Sequence, residues 1–301
     1  MNLSENKTLF KEIVRQIFIK TKISPLYIEK DFYAISILKQ LVSRNENFVF
    51  KGGTSLSVCQ KVINRFSEDV DISYAIEHIT VGQRKRVKKE FFESIEATGL
   101  ILENAENIRS RRIFNRYLCP YISIFNNNED KVIVEWATQT PSFPLETKIA
   151  QTIIGRYLTE NGDLDIVQEY SLEPFEVKTI TKERTFVDKV FAICDYHISK
   201  KIDRQSRHIY DLHQLLKYII LDDDIIQLFN KVKSYRINLD TCHSVKTEKS
   251  ISSYLFELIE EKTYYDDYQT RTFPLLYDHV AYDEAIKSIE KIAIFFKNKG
   301  Y

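Results

Sequence analysis

The hydrophobic positions at the start of the chain recur with a helical period. Leu9, Ile13 and Ile17 are spaced four residues apart, which predicts an amphipathic helix that begins behind Ser4 as its N-cap. A second helix is predicted over 24–42, because its proline lies in the first turn, where a missing N–H has no intrahelical partner. The chain is therefore expected to open with two helices.

The pattern then changes to short alternating segments around a pair of glycines. Residues 47–51 alternate as a strand, residues 54–63 carry a helical period, and residues 69–74 alternate again. This order predicts a strand, a tight turn, a helix and a second strand in succession. Asp69 and Asp71 are then placed on the second strand.

The same two periods divide the rest of the chain into a mixed part and a helical part. Further predicted elements are a helix over 83–98, strands over 121–125 and 131–136 joined by a turn at 126–130, and either a helix or a strand over 147–158. From Thr185 the period is helical nearly to the end. We therefore predict an α+β fold with two lobes, a mixed-sheet lobe with N-terminal helices over 1–174 and a helical lobe over 175–301.

Composition narrows the class of protein further. The chain of 301 residues contains no run of about 18 apolar residues, so we expect a sizeable core and no membrane span. The N-terminus lacks the apolar stretch of a signal peptide and the cysteines show no CxxC spacing, which favours a cytoplasmic protein with reduced thiols. Because 43 Lys and Arg residues balance 43 Asp and Glu residues, an RNA partner would need a local basic patch.

The glycine turn has the composition of a phosphate-binding loop. It reads Lys51, Gly52, Gly53, Thr54, Ser55, and two glycines let the backbone bend sharply and approach a ligand closely. A helix that starts at Thr54 would direct its free N–H groups toward the turn, and the two hydroxyls would add donors. We predict nucleotide binding by these five residues, although the Walker spacing is absent.

The second strand carries the residues expected to bind metal. Side chains two apart on a strand point to one face, so Asp69 and Asp71 project together while Val70 packs behind them. Two carboxylates about 6–7 Å apart suit one or two Mg²⁺ ions. Arg65 and Ser67 precede them closely enough to contact phosphate oxygens. Metal-assisted transfer from a nucleoside triphosphate is the chemistry that such a pair supports.

Each half of this arrangement has an ordinary explanation when taken alone. An Asp-x-Asp step is typical of a solvated strand edge, and Gly-Gly-Thr is typical of a turn that leads into a helix. Their order along the chain, with the Asp-x-Asp strand following the glycine turn and its helix, favours a nucleotide site.

Five segments resemble one family. They are Ile28–Phe32, Phe50–Leu56, Arg65–Asp71, Glu183–Lys189 and Arg207–Leu212. Together they are similar to motifs of the nucleotidyltransferase superfamily and, within it, of the AbiEii/AbiGII-type toxin family, which includes the MenT-like enzymes. The resemblance extends over residues 24–218, and nothing specific is recognised beyond them.

The resemblance implies a fold, an activity and a set of partners. The fold would be polymerase-β-like, with a small mixed sheet joined to a helical C-terminal lobe. Asp69 and Asp71 would bind Mg²⁺, or Mn²⁺ in its place, while Lys189 would contact the triphosphate and Asp211 would be a further active-site acid. The enzyme would transfer nucleotides from an NTP to an RNA, preferably a tRNA 3′ end, as a toxin of a toxin–antitoxin system with a cognate antitoxin and a role in phage defence.

Two alternatives remain open at this level. The same fold could transfer a nucleotidyl or phosphoryl group to a protein, including the antitoxin, or to a small molecule. The chain could also be a non-catalytic binding module that retains only the fold. Intact Asp69, Asp71 and Lys189 argue against the second alternative, since a decayed site tolerates their loss.

Several further residues have both a functional and a structural interpretation. Glu135 lies on a predicted strand and could orient or deprotonate the attacking hydroxyl, or be a structural carboxylate. Lys189 could be solvated on its helix, and Asp211 could pair with Arg207 one turn away. Basic clusters at 84–89, 109–116 and 200–207 could contact RNA, the first being more typical of a solvated helix face. Glu29 and Asp31 are expected to be structural and to brace the glycine turn through Lys30.

Overall fold

The computed structural model describes residues 2–301, which divide into two compact units. The first unit comprises the residues up to Gln60 together with Glu68–Ile180, and the second comprises Lys61–Ser67 with Thr181–Tyr301. The chain therefore leaves the first unit for seven residues and returns before the Asp-x-Asp strand. The boundary predicted at 174/175 differs by six residues, because the last strand of the sheet, Phe175–Ile180, belongs to the first unit.

The first unit is built from a six-stranded mixed sheet and its flanking helices. Its elements are α1 Lys7–Thr21, α2 Pro25–Arg44, β1 Phe48–Lys51, α3 Gly52–Val58, β2 Asp69–Tyr74, α4 Val81–Glu96, β3 Phe114–Ile122, β4 Glu129–Ala137, β5 Leu145–Ala150, α5 Ile153–Asn161, α6 Leu164–Glu169 and β6 Phe175–Ile180. The strand order is β3-β4-β2-β1-β6-β5, in which β2 pairs in parallel with β4 and antiparallel with β1. The predicted α+β fold is confirmed.

One face of this sheet forms the core of the first unit. Val70 and Ile72 of β2 are fully buried, in one cluster with apolar residues of α2 and α4. Phe48 makes edge contacts with Phe91 and Trp136 at ring-centroid distances of 5.3 and 6.0 Å. The opposite face of β2 is then available for the aspartates, because side chains alternate along a strand.

Two helices of the first unit differ in extent from their predictions. Helix α1 begins at Lys7, because Asn6 is the N-cap whose side chain accepts from the Leu9 N–H, while Ser4 lies in a short 3₁₀ turn. Helix α3 begins at Gly52 and ends at Val58, instead of spanning 54–63. Of the residues that were expected to continue this helix, 61–63 belong to the second unit.

The hairpin and the ambiguous segment also differ from their predictions in extent. Strand β3 begins at Phe114, seven residues before the predicted start, because Tyr117, Cys119 and Tyr121 continue the buried alternation. The segment predicted as helix or strand contains both, since β5 ends at Ala150 and Thr152 then caps α5 by accepting from the Gly155 N–H. Short-range periodicity located these segments but did not give the boundaries of their strands and helix.

The acidic residues near the start of α2 are structural, as predicted, but they do not brace the glycine turn. Glu29 is fully buried and accepts from Ser123 Oγ at 2.6 Å and from the Ile124 N–H at 3.1 Å. Asp31 accepts from the Ile153 N–H at 2.7 Å. These contacts hold the β3–β4 hairpin and the start of α5 against α2.

The second unit is helical. Its elements are α7 Lys182–Ser199, α8 Arg207–Leu215, α9 Asp223–Arg236, α10 Ile251–Glu260, α11 Tyr265–Asp267 and α12 Tyr282–Asn298. A π turn over Tyr268–Thr272 and a 3₁₀ turn over Phe273–Leu275 connect α11 toward α12. Phe191 and Phe229 stack at 4.4 Å in its core. No helix within residues 2–301 has both the length and the apolar content to cross a membrane.

Candidate nucleotide and metal site

Asp69 and Asp71 lie on the face of β2 opposite the core, as the alternation predicted. Both side chains are partly buried, whereas Val70 between them is fully buried. The two carboxylates therefore share one surface of the sheet. This shared surface is the geometric condition for a metal-binding aspartate pair.

Neighbouring strands place two more charged residues beside Asp71. Directly paired residues on adjacent strands project to the same face. Asp71 pairs with Glu135 of β4 and with Lys51 of β1, and Glu135 in turn pairs with Arg116 of β3. A row of four charged side chains, Arg116, Glu135, Asp71 and Lys51, thus crosses the sheet with the two carboxylates in the middle. The sequence predicted Glu135 and Lys51 separately but held no sign of their alignment with Asp71.

Glu135 is engaged by its neighbour in the row. Arg116 donates to Glu135 Oε1 from Nε at 2.9 Å and from Nη2 at 2.6 Å. The Arg116 side chain is 55% exposed, and ion pairs at such exposure contribute about 0–1 kcal/mol. The pair is weak enough for a substrate or cation to displace Arg116 from the carboxylate.

Gly52 is required by the position of Asp71. Its φ is +74°, in the region that side chains disfavour. A Cβ built at this position would lie 1.9 Å from Asp71 Oδ2, well inside the contact distance. The first glycine of the turn therefore leaves room for the carboxylate of β2, whereas the sequence had suggested only that it admits a ligand.

A hydrogen bond from Thr54 connects α3 to β2, the strand that carries Asp69 and Asp71. Its buried hydroxyl donates to the Asp69 carbonyl oxygen at 2.5 Å. Ser55 is also buried, whereas Gly53 and Lys51 are partly exposed. The Thr54 hydroxyl is thus used within the fold, where it fixes the start of β2 relative to the turn.

The second unit contains three further predicted site residues in one buried ion cluster. Asp211 is 0% exposed, Arg65 2% and Lys189 5%. Arg65 donates to both carboxylate oxygens, from Nε to Oδ1 at 2.7 Å and from Nη2 to Oδ2 at 2.8 Å. Lys189 Nζ donates to Oδ2 at 2.6 Å. Asp211 therefore does not form the surface pair with Arg207 that its spacing allowed.

The cluster fixes the charge of Asp211. Burial alone would raise the pKa of this carboxyl, but the charges and hydrogen bonds of Arg65 and Lys189 outweigh burial and hold the pKa well below its usual range. Burial lowers the pKa of Lys189, and Asp211 opposes that shift. Asp211 is consequently an anion at neutral pH, which leaves it without a proton to donate.

One protein-family model matches most of the length of this chain. The family model described as "Nucleotidyl transferase AbiEii toxin, Type IV TA system" matches residues 36–288. The chain belongs to the AbiEii nucleotidyltransferase toxin family. Both the suspected family and the predicted enzyme class are confirmed, and the match continues well beyond residue 218, where the motifs recognised in the sequence end.

Two solved structures show the fold of this AbiEii-family chain independently. JHP933 from Helicobacter pylori aligns with a TM-score of 0.51 and 16% identity, over 92% of this chain and 94% of its own. A second Helicobacter pylori protein, provisionally described as a nucleotidyltransferase, aligns with a TM-score of 0.53 and 17% identity, over 92% and 97%. No curated protein sequence matches the chain. At these identities the two structures establish the fold alone.

The AbiEii-family site has the donor chemistry for a divalent cation. Asp69 and Asp71 offer carboxylate oxygens on one face, the ligand type that Mg²⁺ prefers, and Gly52 leaves space for one of them. Within residues 2–301, no group of three or more His, Cys, Asp or Glu side chains is arranged to hold a metal ion. Asp69 and Asp71 would therefore be the residues that hold the metal, and metal binding by this pair stays a prediction.

The basic clusters differ in how far the fold already uses them. On α4, Arg86 pairs with Glu90 at 2.8 Å and Lys89 with Glu93 at 3.5 Å, as a solvated helix face predicts. A different row, Lys7, Lys11 and Arg15 on α1, lines a groove of about 570 Å³ and has no carboxylate within 4.0 Å among the described residues. The sequence did not reveal this row, because three other residues lie between each of its members and the next.

Proposed function

We propose that the chain is a metal-dependent nucleotidyltransferase toxin that transfers nucleotides from an NTP to RNA, preferably to a tRNA 3′ end. The observation that carries the proposal is the Asp69–Asp71 pair on one face of β2, with Gly52 kept free of a side chain beside it. Membership of the family supports an NTP as the substrate. We further propose that the metal is Mg²⁺, that Mn²⁺ can replace it, and that the acceptor is RNA.

The proposed reaction forms one P–O bond and breaks another. The acceptor hydroxyl oxygen bonds to the α-phosphorus, the bond to the β-phosphate oxygen breaks, and pyrophosphate leaves. When bound, the metal supplies positive charge that stabilises the triphosphate and the leaving group. Asp69 and Asp71 hold that metal, and Glu135, aligned with Asp71, orients the hydroxyl or accepts its proton. Lys51 contributes positive charge at the end of the same row.

The remaining predicted residues receive roles that match their positions. Gly53 and Ser67 are partly exposed and are proposed as contacts for the nucleotide, together with Ser55 at the start of α3. Lys189 is proposed to add positive charge for the triphosphate. Arg65 and Asp211 are not proposed as direct contacts; they share one buried ion cluster with Lys189, in which Asp211 accepts from both cations.

The biological setting is proposed from the family. A toxin of a toxin–antitoxin system requires a cognate antitoxin, and we propose that such a protein controls this chain. We place the activity in the cytoplasm, where NTPs and tRNA are abundant, and propose phage defence as its context. Transfer to a protein or a small molecule, and a non-catalytic binding role, are the competing outcomes of a transfer assay.

Transfer of label from NTP tests the proposal. Purified protein is incubated with each of the four α-labelled NTPs, total tRNA and Mg²⁺, and the products are separated into RNA and protein fractions. We expect label on RNA, and a fall of at least 100-fold for Asp69→Asn and Asp71→Asn. Asp165→Asn is the matched control, since this exposed aspartate of the first unit has no side-chain partner in the described structure.

The outcomes separate the alternatives. Label that appears only on protein, or on a small molecule, would replace RNA as the acceptor while preserving the reaction type. Growth inhibition that survives both aspartate substitutions, without transfer by the wild type, would identify a binding module. Addition of a chelator should stop transfer, and Mg²⁺ or Mn²⁺ should restore it.

A further inference from the structure

We propose that the second unit contains a binding site for a small phosphate monoester, in the pocket that α8, the turn after it and α12 form together. This α8–α12 pocket has a volume of about 320 Å³, and its polar lining consists of His213, Lys217, Ser288 and Lys291. None of these residues belongs to the predicted nucleotide or metal site, so the inference is independent of the proposed transfer reaction. It concerns a part of the chain, α12, that lies beyond every motif recognised in the sequence.

A buried histidine provides the polar atom that asks for a ligand. His213 is only 8% exposed, and its Nδ1 lies 2.8 Å from Ser288 Oγ. Its Nε2 is buried and has no hydrogen-bond partner among residues 2–301. A buried polar atom without a partner costs free energy, so a ligand in the pocket that completes this hydrogen bond would be stabilised.

The charges around His213 make Nε2 a hydrogen-bond donor. Burial and Lys217 lower the pKa of His213, Glu284 and Asp278 oppose that shift, and Lys291 adds to it. The ring is therefore neutral at pH 7 and carries one hydrogen. Glu284 Oε1 lies 3.6 Å from Nε2, which is too far for a hydrogen bond but close enough to favour the hydrogen on that nitrogen.

Two lysines add positive charge to the same pocket. Lys217 follows His213 by four residues, and Lys291 follows Ser288 by three. Both lysines are exposed, and neither forms an ion pair within the described part of the chain. Lys217 Nζ donates to Gln214 Oε1 at 2.8 Å, a neutral partner that leaves its charge uncompensated. The pocket thus combines two ammonium groups with one buried N–H.

This lining selects the class of ligand. A phosphate monoester offers up to two negative charges and several acceptor oxygens, which match the two ammonium groups and the Nε2–H. The rest of the lining is apolar and consists of Leu216, Ile219 and Leu221. The volume is near the lower end of the roughly 300–1,000 Å³ of small-molecule sites. A phosphate that carries one compact apolar or aromatic group therefore fits both the charge and the size of the pocket.

The same residues also have a structural interpretation, which predicts no ligand. His213 and Lys217 lie at the C-terminal end of α8, where positive charge complements the helix dipole. That interpretation gives no part to Lys291, because Lys291 lies in the middle of α12. The effect of Lys291 on ligand binding consequently distinguishes a binding site from a capped helix end.

Calorimetric titration of the full chain with phenyl phosphate tests the inference. A chelator is present, so that metal-dependent binding in the first unit does not contribute. We expect Lys291→Gln, Lys217→Gln and His213→Gln each to weaken binding about tenfold, because each removes one contact with the phosphate. Lys287→Gln is the matched control, since this exposed lysine of α12 does not line the pocket, and it should bind as the wild type does.

Three further titrations test the class of ligand. Inorganic phosphate should bind about tenfold more weakly than phenyl phosphate, because it leaves the apolar lining uncovered. Phenol, which lacks the phosphate, should show no binding. Glu284→Gln should strengthen the binding of phenyl phosphate about threefold, because it removes a negative charge near Nε2. Equal binding of phenol and phenyl phosphate would overturn the inference, since the pocket would then not recognise the anion.

The position of the bound phosphate decides the remaining cases. Wild-type affinity in folded Lys291→Gln, with binding lost in Lys51→Gln instead, would place the phosphate in the first unit and refute the site. Lys291 is exposed, so its substitution tests the pocket even where thermal melting shows that His213→Gln does not fold. Absence of binding to the wild type at millimolar phenyl phosphate would also refute the site, and it would leave the outcome of the NTP transfer assay unaffected.

Discussion

At the scale of single residues, Gly52 is the position where the site tolerates least change. Its positive φ and the 1.9 Å separation between an added methyl carbon and Asp71 Oδ2 act together. We expect Gly52→Ala to displace the Asp71 carboxylate and lower transfer at least 100-fold. The left-handed backbone adds about 1–2 kcal/mol of destabilisation.

A glycine in an open environment provides the control for this substitution. Gly82 lies in α4, and the nearest atom to its added Cβ is Thr80 Oγ1 at 4.0 Å. Gly82→Ala should keep full activity and stabilise the helix by up to about 1 kcal/mol. Thermal melting and the labelled-NTP assay distinguish the two changes, and an active Gly52→Ala enzyme would show that Asp71 does not need its observed position.

Single residues also show where the sequence was informative and where it was not. The shared face of Asp69 and Asp71 followed from the two-residue period of a strand, which is a local property. The contact between Gly52 and Asp71 depends on the pairing of Lys51 with Asp71 across two strands. Register of this kind is set by packing between distant segments, so the pattern of a single strand does not contain it.

At the scale of elements, the alignment of β2 with β4 determines what Glu135 can do. Its neighbour Arg116 occupies Oε1 but is largely exposed, so the pair itself contributes little stability. We expect Glu135→Gln to lower the transfer rate by about 10²–10⁴-fold, the contribution typical of general base catalysis, because it removes the proposed acceptor of the hydroxyl proton.

Arg116→Gln is the comparison that identifies the cause. It breaks the same ion pair from the other side and should leave the transfer rate within about threefold, because an exposed pair is weak. Similar large losses in both variants would indicate that the pair itself, and not the carboxylate, supports the reaction.

The hydrogen bond between α3 and β2 gives a second prediction at the scale of elements. The hydrogen bond from Thr54 to the Asp69 carbonyl joins positions 15 residues apart. Thr54→Val keeps the shape but removes the donor, which should destabilise the first unit by about 1–2 kcal/mol and weaken metal binding. Thr54→Ser retains the hydroxyl and should behave nearly as the wild type in melting and Mn²⁺ titration; equal losses in both would exclude this bond as the cause.

At the scale of the whole molecule, the passage of 61–67 into the second unit is the main feature that the sequence did not predict. The periodicity of 54–63 indicated one helix, yet the chain turns at Lys61, which has a φ of +53°. The contacts that hold the segment join Arg65 to Asp211, 146 positions away. The sequence predicted Arg65 as a phosphate contact and the family resemblance implied that Asp211 is an active-site acid, but only the folded chain brings the two residues together.

Ionisable groups give the two units opposite responses to pH. In the first unit, burial raises the pKa of Asp31 to about 7 and raises that of Glu29, so folding takes up protons as the pH falls. In the second unit, burial lowers the pKa of His197, His208 and His213 from the ordinary histidine value, so the unfolded state takes up protons first. By linkage, a shift from pH 7 to pH 5 stabilises the first unit and destabilises the second.

Probes specific to each unit test this divergence. The single tryptophan, Trp136, lies in the first unit, and its fluorescence should show a higher melting temperature at pH 5 than at pH 7. Hydrogen exchange of the α8 amides should show faster opening of the second unit at pH 5, after correction for the intrinsic rate. Asp31→Asn should reduce the difference in melting temperature of the first unit between pH 5 and pH 7. The amide oxygen of the substituted side chain still accepts from the Ile153 N–H, but the side chain cannot ionise.

The destabilisation of the second unit at pH 5 should be reduced by a substitution of one of its buried histidines. His208→Asn eliminates one imidazole that must stay neutral beside Lys189 Nζ, at 3.5 Å, and should reduce the loss of stability on acidification. Because Asp211 remains ionised down to a pH well below its usual pKa, the ion cluster itself persists over this range. Acid therefore weakens the helical unit through its histidines before it reaches the carboxylate that holds Arg65, and segment 61–67 should stay bound at pH 5 while exchange elsewhere in the unit rises.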